Sequence, residues 1–117
     1  MKIERNKLHY FGKRADNIIH AQLRLRCSKL NSHLFALHVI DSPACICGHD
    51  NEDSEHFLLY CALYDNIRPL LIHTLHDLIE GQHLNIDTLL NGNNDYATNC
   101  KIFQAVHSFL SESNRFK

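Results

Sequence analysis

The sequence predicts a small all-helical domain of about five helices. Apolar residues recur at helical spacing in three long stretches, and no long alternating run argues for strands. Only two prolines and four glycines interrupt the 117 residues. That length suits a single domain over residues 1–117. Hydrophobic residues make up 44% of it, enough for a core, but a domain this small folds with little margin and would gain from a cross-link.

Residues 1–14 form a basic lead-in with no required structure. Asp16 is a plausible N-cap for a first helix over 16–30, "DNIIHAQLRLRCSKL", in which Ile19, Leu23, Arg26 and Leu30 share one face. "NSHLFALHVI" reads as a short second helix opening at Asn31 or Ser32. "DSPACICGHDNED" is a loop, because Ser42-Pro43 favours a turn and Gly48 permits positive φ. A short helix runs from Ser54 to Tyr60. The stretch 63–79 is helical, with Ile67, Leu71, Leu75, Leu78 and Ile79 at helical spacing. Pro69 either kinks that helix or marks its first turn behind Asp65 or Asn66. "IDTLLNG" is a short helix stopped by Gly92. The last helix, from about Asp95 to Glu112, turns Ile102, Phe103, Val106, Phe109 and Leu110 to one side.

Charge is balanced overall at −1 but uneven along the chain. Residues 1–30 hold eight basic and two acidic side chains, a net of +6, and the remainder carries −7. Such asymmetry marks either a nucleic-acid contact at the basic end or a basic helix face packed near an acidic face of the same domain. No apolar run approaches the roughly 18 residues of a membrane span. The N-terminus has no secretory h-region. Five cysteines, an odd number, fit a reducing compartment, cytoplasmic or nuclear, better than a disulfide scaffold.

The chemistry concentrates in "CICGHDNEDSEHFLLYC". Its pattern is C-x-C-x8-H-x4-C, using Cys45, Cys47, His56 and Cys61. Three thiolates and one imidazole are a complete tetrahedral set for Zn²⁺. A closed set leaves no position for substrate or activated water, so the expected metal is structural. One demand follows. An i to i+5 spacing lies about 140° apart around an ideal helix, so His56 and Cys61 can face one centre only if the helix loosens or ends near Cys61. Asp50, Glu52, Asp53 and Glu55 read as caps for the helix starting at Ser54. His49 is an alternative ligand and Cys27 a remoter one. Cys27 reads more simply as a buried small residue, and Cys100 as a packing residue. The remaining histidines share no motif and read as surface or half-buried, with His73 and His76 able to pair on one helix face. No phosphate-binding glycine loop, nucleophile elbow or paired carboxylates at catalytic spacing occur, so an independent enzyme is not expected.

With these residues in view, the chain resembles the C-terminal segment of the reverse-transcriptase reading frame of non-LTR (LINE-like) retrotransposons, over roughly residues 15–117. The matching positions are Leu23, Arg24, Leu25 and Arg26, then Leu30 and His33-Leu34, then Ser42, Pro43, Cys45, Cys47 and Gly48. Glu52, Glu55, His56, Leu58 or Leu59, and Cys61 follow, and "FQAVHSFLSESNRF" is similar to the family's closing helix. The resemblance implies a zinc-knuckle-like module behind the polymerase and thumb, assisting binding of RNA or target DNA during target-primed reverse transcription. It places the metal on Cys45, Cys47, His56 and Cys61. Ala62 departs from the family's usual proline after the last cysteine, which weakens the encoded helix break. The chain has no Tyr-x-Asp-Asp motif and no endonuclease signature, so no polymerase activity is expected of it. It would be an excised domain or the surviving tail of a degenerate element.

Two functions follow. In the first, the chain is a zinc-binding accessory module that contacts RNA or an RNA/DNA hybrid, with Lys13, Arg14, Arg24, Arg26 and Lys29 on phosphates and His33 or Tyr10 stacking on a base. In the second, zinc staples a structural or interaction domain that docks on the parent polymerase or on another copy of the chain and binds no nucleic acid.

Overall fold

The computed structural model describes residues 14–78 and 85–116. The lead-in up to Lys13, with Tyr10, and the segment 79–84 with His83 lie outside the described residues. Among the described residues there are five α-helices and no strand: α1 (Arg14–Arg24), α2 (Asn31–Ala36), α3 (Arg68–Leu78), α4 (Ile86–Asn91) and α5 (Tyr96–Ser113). A π turn (His56–Tyr60) and a 3₁₀ turn (Ala62–Tyr64) lie between α2 and α3. None of these helices is long and apolar enough to cross a membrane.

α5 is the post on which the others pack. It contacts α3, α1 and α4. Its predicted inner side is buried as expected: Ile102, Phe103, Val106, Phe109 and Leu110. Leu23 of α1, Leu71 and Leu75 of α3, Leu89 of α4 and Phe57 and Leu58 of the π turn complete one core. Phe57 meets three aromatic rings edge-on, Tyr64 at 5.1 Å and Phe109 and Phe116 at 5.4 Å. That arrangement suits the ring quadrupoles.

The helix ends follow local chemistry. Asp95 caps α5 by accepting from the Thr98 N–H and hydroxyl at 2.9 and 2.7 Å. Asn85 caps α4 through the Thr88 N–H at 2.9 Å. Gly92 ends α4 at φ 82°, and a Cβ there would run into the Asn99 side chain. Pro69 lies in the first turn of α3, so it opens that helix and does not kink it.

The first helix departs from expectation. It stops at Arg24, not Leu30, and Asp16 lies inside its first turn instead of capping it. Arg26 adopts φ 59°, with Cys27 N–H bonded to Gln22 C=O and Arg26 N–H to Leu23 C=O. This is a Schellman cap with arginine in the left-handed position that glycine normally fills. α2 ends the same way at His38, φ 63°, with Val39 N–H on Leu34 C=O and His38 N–H on Phe35 C=O. Leu30 reaches the core from the linker, ahead of α2.

Polar groups also tie the helices together from inside. His20 Nε2–H donates to the Leu89 carbonyl at 2.8 Å, which leaves Nδ1 to accept from His107 Nε2–H at 3.0 Å. His33 Nδ1 accepts from the Ser28 hydroxyl at 2.7 Å and from its N–H at 3.2 Å. Burial holds the His33 pKa below its ordinary value. These three histidines are buried, against the expectation of surface or half-buried positions. His73 and His76 are exposed.

Glu52, 3% exposed, is the other polar anchor. Its carboxylate takes Arg115 Nε at 2.9 Å and Nη2 at 2.8 Å, and also the Asn31 N–H at 2.8 Å. Its expected role as a cap for the 54–60 helix is therefore wrong, and Asp53 serves there alone, accepting the His56 N–H at 2.8 Å. Ser54 does not cap either; its hydroxyl donates to the Leu23 carbonyl.

Two stability measurements follow. Arg115→Ala strands a buried carboxylate. With the arginine side chain 23% exposed, the cost should be about 2–3 kcal/mol in urea unfolding, under the full penalty for splitting a buried pair. An unchanged midpoint would show that Glu52 needs no counter-charge. Ala62→Pro should stabilise by about 0.4–1 kcal/mol, because Cys61 already has the extended ψ of 124° that precedes proline, and the 3₁₀ turn uses the N–H groups of Tyr64 and Asp65. A loss of stability would mean that the Ala62 N–H is needed.

Candidate metal centre

Two short segments build the cluster. The first is a tight turn in the 41–53 loop: Cys45 N–H bonds His49 C=O at 2.9 Å, and Gly48 N–H bonds Cys45 C=O at 3.0 Å. Gly48 adopts φ 104°, a conformation that side chains other than hydrogen resist. The loop's base is closed by Glu52 N–H on Pro43 C=O at 2.7 Å, and Asn31 Nδ2 holds Ala44 C=O at 2.7 Å. Cys45 and Cys47 thereby turn toward one side.

The second segment meets the demand that spacing set. The helix opening at Ser54 loosens into a π turn over His56–Tyr60, and Cys61 N–H bonds His56 C=O, an i to i+5 bond of 2.7 Å. The chain leaves helical geometry at Cys61. Loosening and ending together bring the two side chains to one centre.

The four donor atoms, three Sγ and a His56 ring nitrogen, lie within 4.8 Å of one another. Cys45 Sγ and Cys61 Sγ are 3.7 Å apart, and Cys47 Sγ is 3.3 Å from His56 Nε2. A tetrahedral Zn²⁺ with ordinary bond lengths would set these separations at about 3.8 Å and 3.5 Å. The residues therefore fit such an ion in number, type and spacing. Cys45, Cys61 and His56 are buried and Cys47 is half-buried, and all five cysteines are free thiols.

Burial pushes the Cys45 thiol up to about 12, and the neighbouring thiols add to the shift. Cys61 moves up for the same first reason. Cys47 moves down, chiefly because the His49 backbone N–H supports its thiolate. Two adjacent buried thiols that resist ionisation are poor nucleophiles. A cation at the centre would reverse that balance, since a coordinating thiol is deprotonated outright. The arrangement is suited to holding a metal ion through four protein donors.

The alternative ligands lie elsewhere. The His49 ring stands against the His56 ring at 4.2 Å, and its Nδ1 accepts the Asn51 N–H at 3.1 Å, outside the cluster of four. Cys27 is exposed on the turn after α1, which corrects its reading as a buried small residue. Cys100 is half-buried in α5.

The basic positions divide. Arg14, Arg26 and Lys29 are exposed. Arg24 is committed to the fold: Nε donates to Leu90 C=O at 2.8 Å, the guanidinium lies 6.0 Å from the Phe103 ring centre, and burial lowers its pKa. His33 is buried on Ser28 and presents no face for stacking on a base. Lys13 lies outside the described residues. Sequence reasoning did not assign Glu52 with Arg115, or the His20–His107 pair, to each other. Glu52 and the closing Arg115-Phe116 did stand in the quoted resemblance, which was the available signal.

Comparison with known proteins agrees with that resemblance in part. The chain is 38% identical over 64 residues to a retrovirus-related Pol polyprotein from the type-1 retrotransposable element R1 3 of Nasonia vitripennis. The aligned stretch is 54% of this chain and 16% of that polyprotein, so the chain spans only a small part of its relative's length. No family model matches the chain, and no solved structure does. The chain is thus similar to one part of a retrotransposon Pol polyprotein, and it carries a Cys3His cluster that can hold a metal ion.

Proposed function

We propose that the chain is a zinc-stapled accessory module of a retrotransposon-type polyprotein, and that it assists binding of RNA or an RNA/DNA hybrid through an exposed basic turn. The observation that carries the metal half is the convergence of Cys45, Cys47, His56 and Cys61 within 4.8 Å. Zinc is the ion that such a soft, closed donor set favours. When bound it supplies cross-linking free energy to a domain with little core to spare. Cys45 and Cys47 hold it from the loop, and His56 and Cys61 from the π turn.

For the nucleic-acid half the support is the display of Arg26 and Lys29 on the turn after α1, with Arg14 exposed at the start of the described chain. Arg26 occupies a left-handed position that costs roughly 1–2 kcal/mol for a residue with a Cβ. Arg24 and His33 drop out of the contact set, for the reasons given above. The second reading, a stapled interaction domain that binds no nucleic acid, draws on the exposed acids of the knuckle itself, Asp50 and Glu55. Those carboxylates would repel phosphate.

The test has two parts on one preparation. Metal analysis should find one zinc per chain, and EDTA should abolish the helical circular dichroism. If the chain is metal-free and EDTA leaves its helicity unchanged, the staple is wrong. RNA affinity of the zinc-loaded chain should fall steeply with salt, and Arg26→Glu with Lys29→Glu should reduce the salt slope by about one to two while leaving helicity intact. Absent or salt-independent binding by the folded, zinc-loaded chain would leave the interaction-domain reading standing.

A further inference from the structure

A groove of about 650 Å³ runs between α3 and α5. Ile67, Leu71, Ala105 and Phe109 give it an apolar lining, and Leu70 at its side is 72% exposed. α5 lines it with Lys101, Gln104, Ala105, Ser108, Phe109 and Glu112, of which positions 101, 105, 108 and 112 form one stripe. Steps of four, three and four keep one face of a helix turned toward a partner helix.

The stripe has a polarity. Lys101 stands at one end and Glu112 at the other, with Ala105 and Ser108 between them. Eleven residues of helix separate the two charges by about 16 Å along the axis, too far for them to pair with each other. Both are exposed, and neither joins an ion pair among the described residues. A two-fold axis near the small residues would bring a second α5 antiparallel to the first. Each Lys101 would then face the other copy's Glu112, and the same pair would form twice. A parallel arrangement would set like charges together. Ala105 and Ser108 have little side chain to hold the two backbones apart at the crossing.

We propose that the occupant of this groove is a second copy of the chain, α5 crossing α5 antiparallel, with the two Lys101–Glu112 pairs fixing direction and the exposed Leu70, with the half-buried Ile67 and Ala105, supplying affinity. α3 and α5 of the two copies then form a four-helix interface. This pairing is independent of the metal and nucleic-acid readings, because the groove's lining shares no residue with the cysteine cluster or the basic turn.

Sedimentation equilibrium of the full, metal-loaded chain, from micromolar to submillimolar concentration, tests it. A reversible dimer is expected. Lys101→Glu alone and Glu112→Lys alone should each weaken it by about tenfold or more, since each sets like charges opposite one another twice. The double variant K101E/E112K should restore the wild-type dissociation constant. Leu70→Glu should give a monomer, with circular dichroism confirming unchanged helicity. A wild-type chain that stays monomeric throughout overturns the proposal, even if the groove then takes an unrelated amphipathic peptide. So does a dimer indifferent to the single charge changes or to Leu70→Glu, or a double variant as weak as the single ones.

Discussion

The Glu52 carboxylate is where three distant parts of the chain meet. It receives the first N–H of α2 and the forked guanidinium of Arg115. Arg115 Nη2 also reaches the Lys29 carbonyl at 3.1 Å. The same residue's backbone closes the metal loop through Pro43 and accepts the Ser32 N–H at 3.0 Å. A carboxylate so deeply buried persists only with such saturation, because a lone buried charge is prohibitively costly. Phe116 follows Arg115 onto Phe57, so the ion pair also closes one side of the core.

That clasp and the cysteine cluster solve different problems. The cluster joins residues within one stretch of 17 positions, Cys45 to Cys61, so it shapes a loop and a helix end. The clasp joins residues 63 apart and sets the domain's overall closure. A soft-ligand site alone would leave the C-terminus loose, and a clasp alone would require Glu52 to hold its place in an unsupported loop. Loop geometry delivers Glu52 to Arg115: the Glu52 N–H on Pro43 C=O is both the base of the metal loop and the brace of the carboxylate.

Helix content, core faces and the four converging donors were legible in the sequence because each rests on short-range spacing. Phe103, Val106 and Leu110 fall on one side of any helix drawn through them. The i to i+5 separation of His56 and Cys61 required the helix to loosen or to end near Cys61, and the chain does both, in a π turn that stops there. What was not legible has a common cause. The ends of α1 and α2 use arginine and histidine in left-handed caps where glycine is the readable sign, so α1 ends six residues before its apolar spacing predicts. The buried histidines and the Glu52–Arg115 pair satisfy one another across the chain. Polar residues in partnership give no periodic pattern, and each alone looks like surface.

The long-range pairs also decide which basic residues of the described stretch 14–30 are on display. The net charge of +6 over residues 1–30 marks either a nucleic-acid contact or a basic helix face packed near an acidic face of the same domain. Arg24 shows how a basic residue leaves that surface: at the end of its three methylenes the guanidinium lies on the Leu90 carbonyl beside Phe103. Lys29 contributes its carbonyl to Arg115 while its own ammonium remains outside. Charge along a sequence therefore overstates the charge on display. The arginine and lysine of the turn after α1, Arg26 and Lys29, are exposed, and so are Asp50 and Glu55 of the knuckle. The clasp ties the turn and the knuckle to each other, because Arg115 holds both the Lys29 carbonyl and the Glu52 carboxylate.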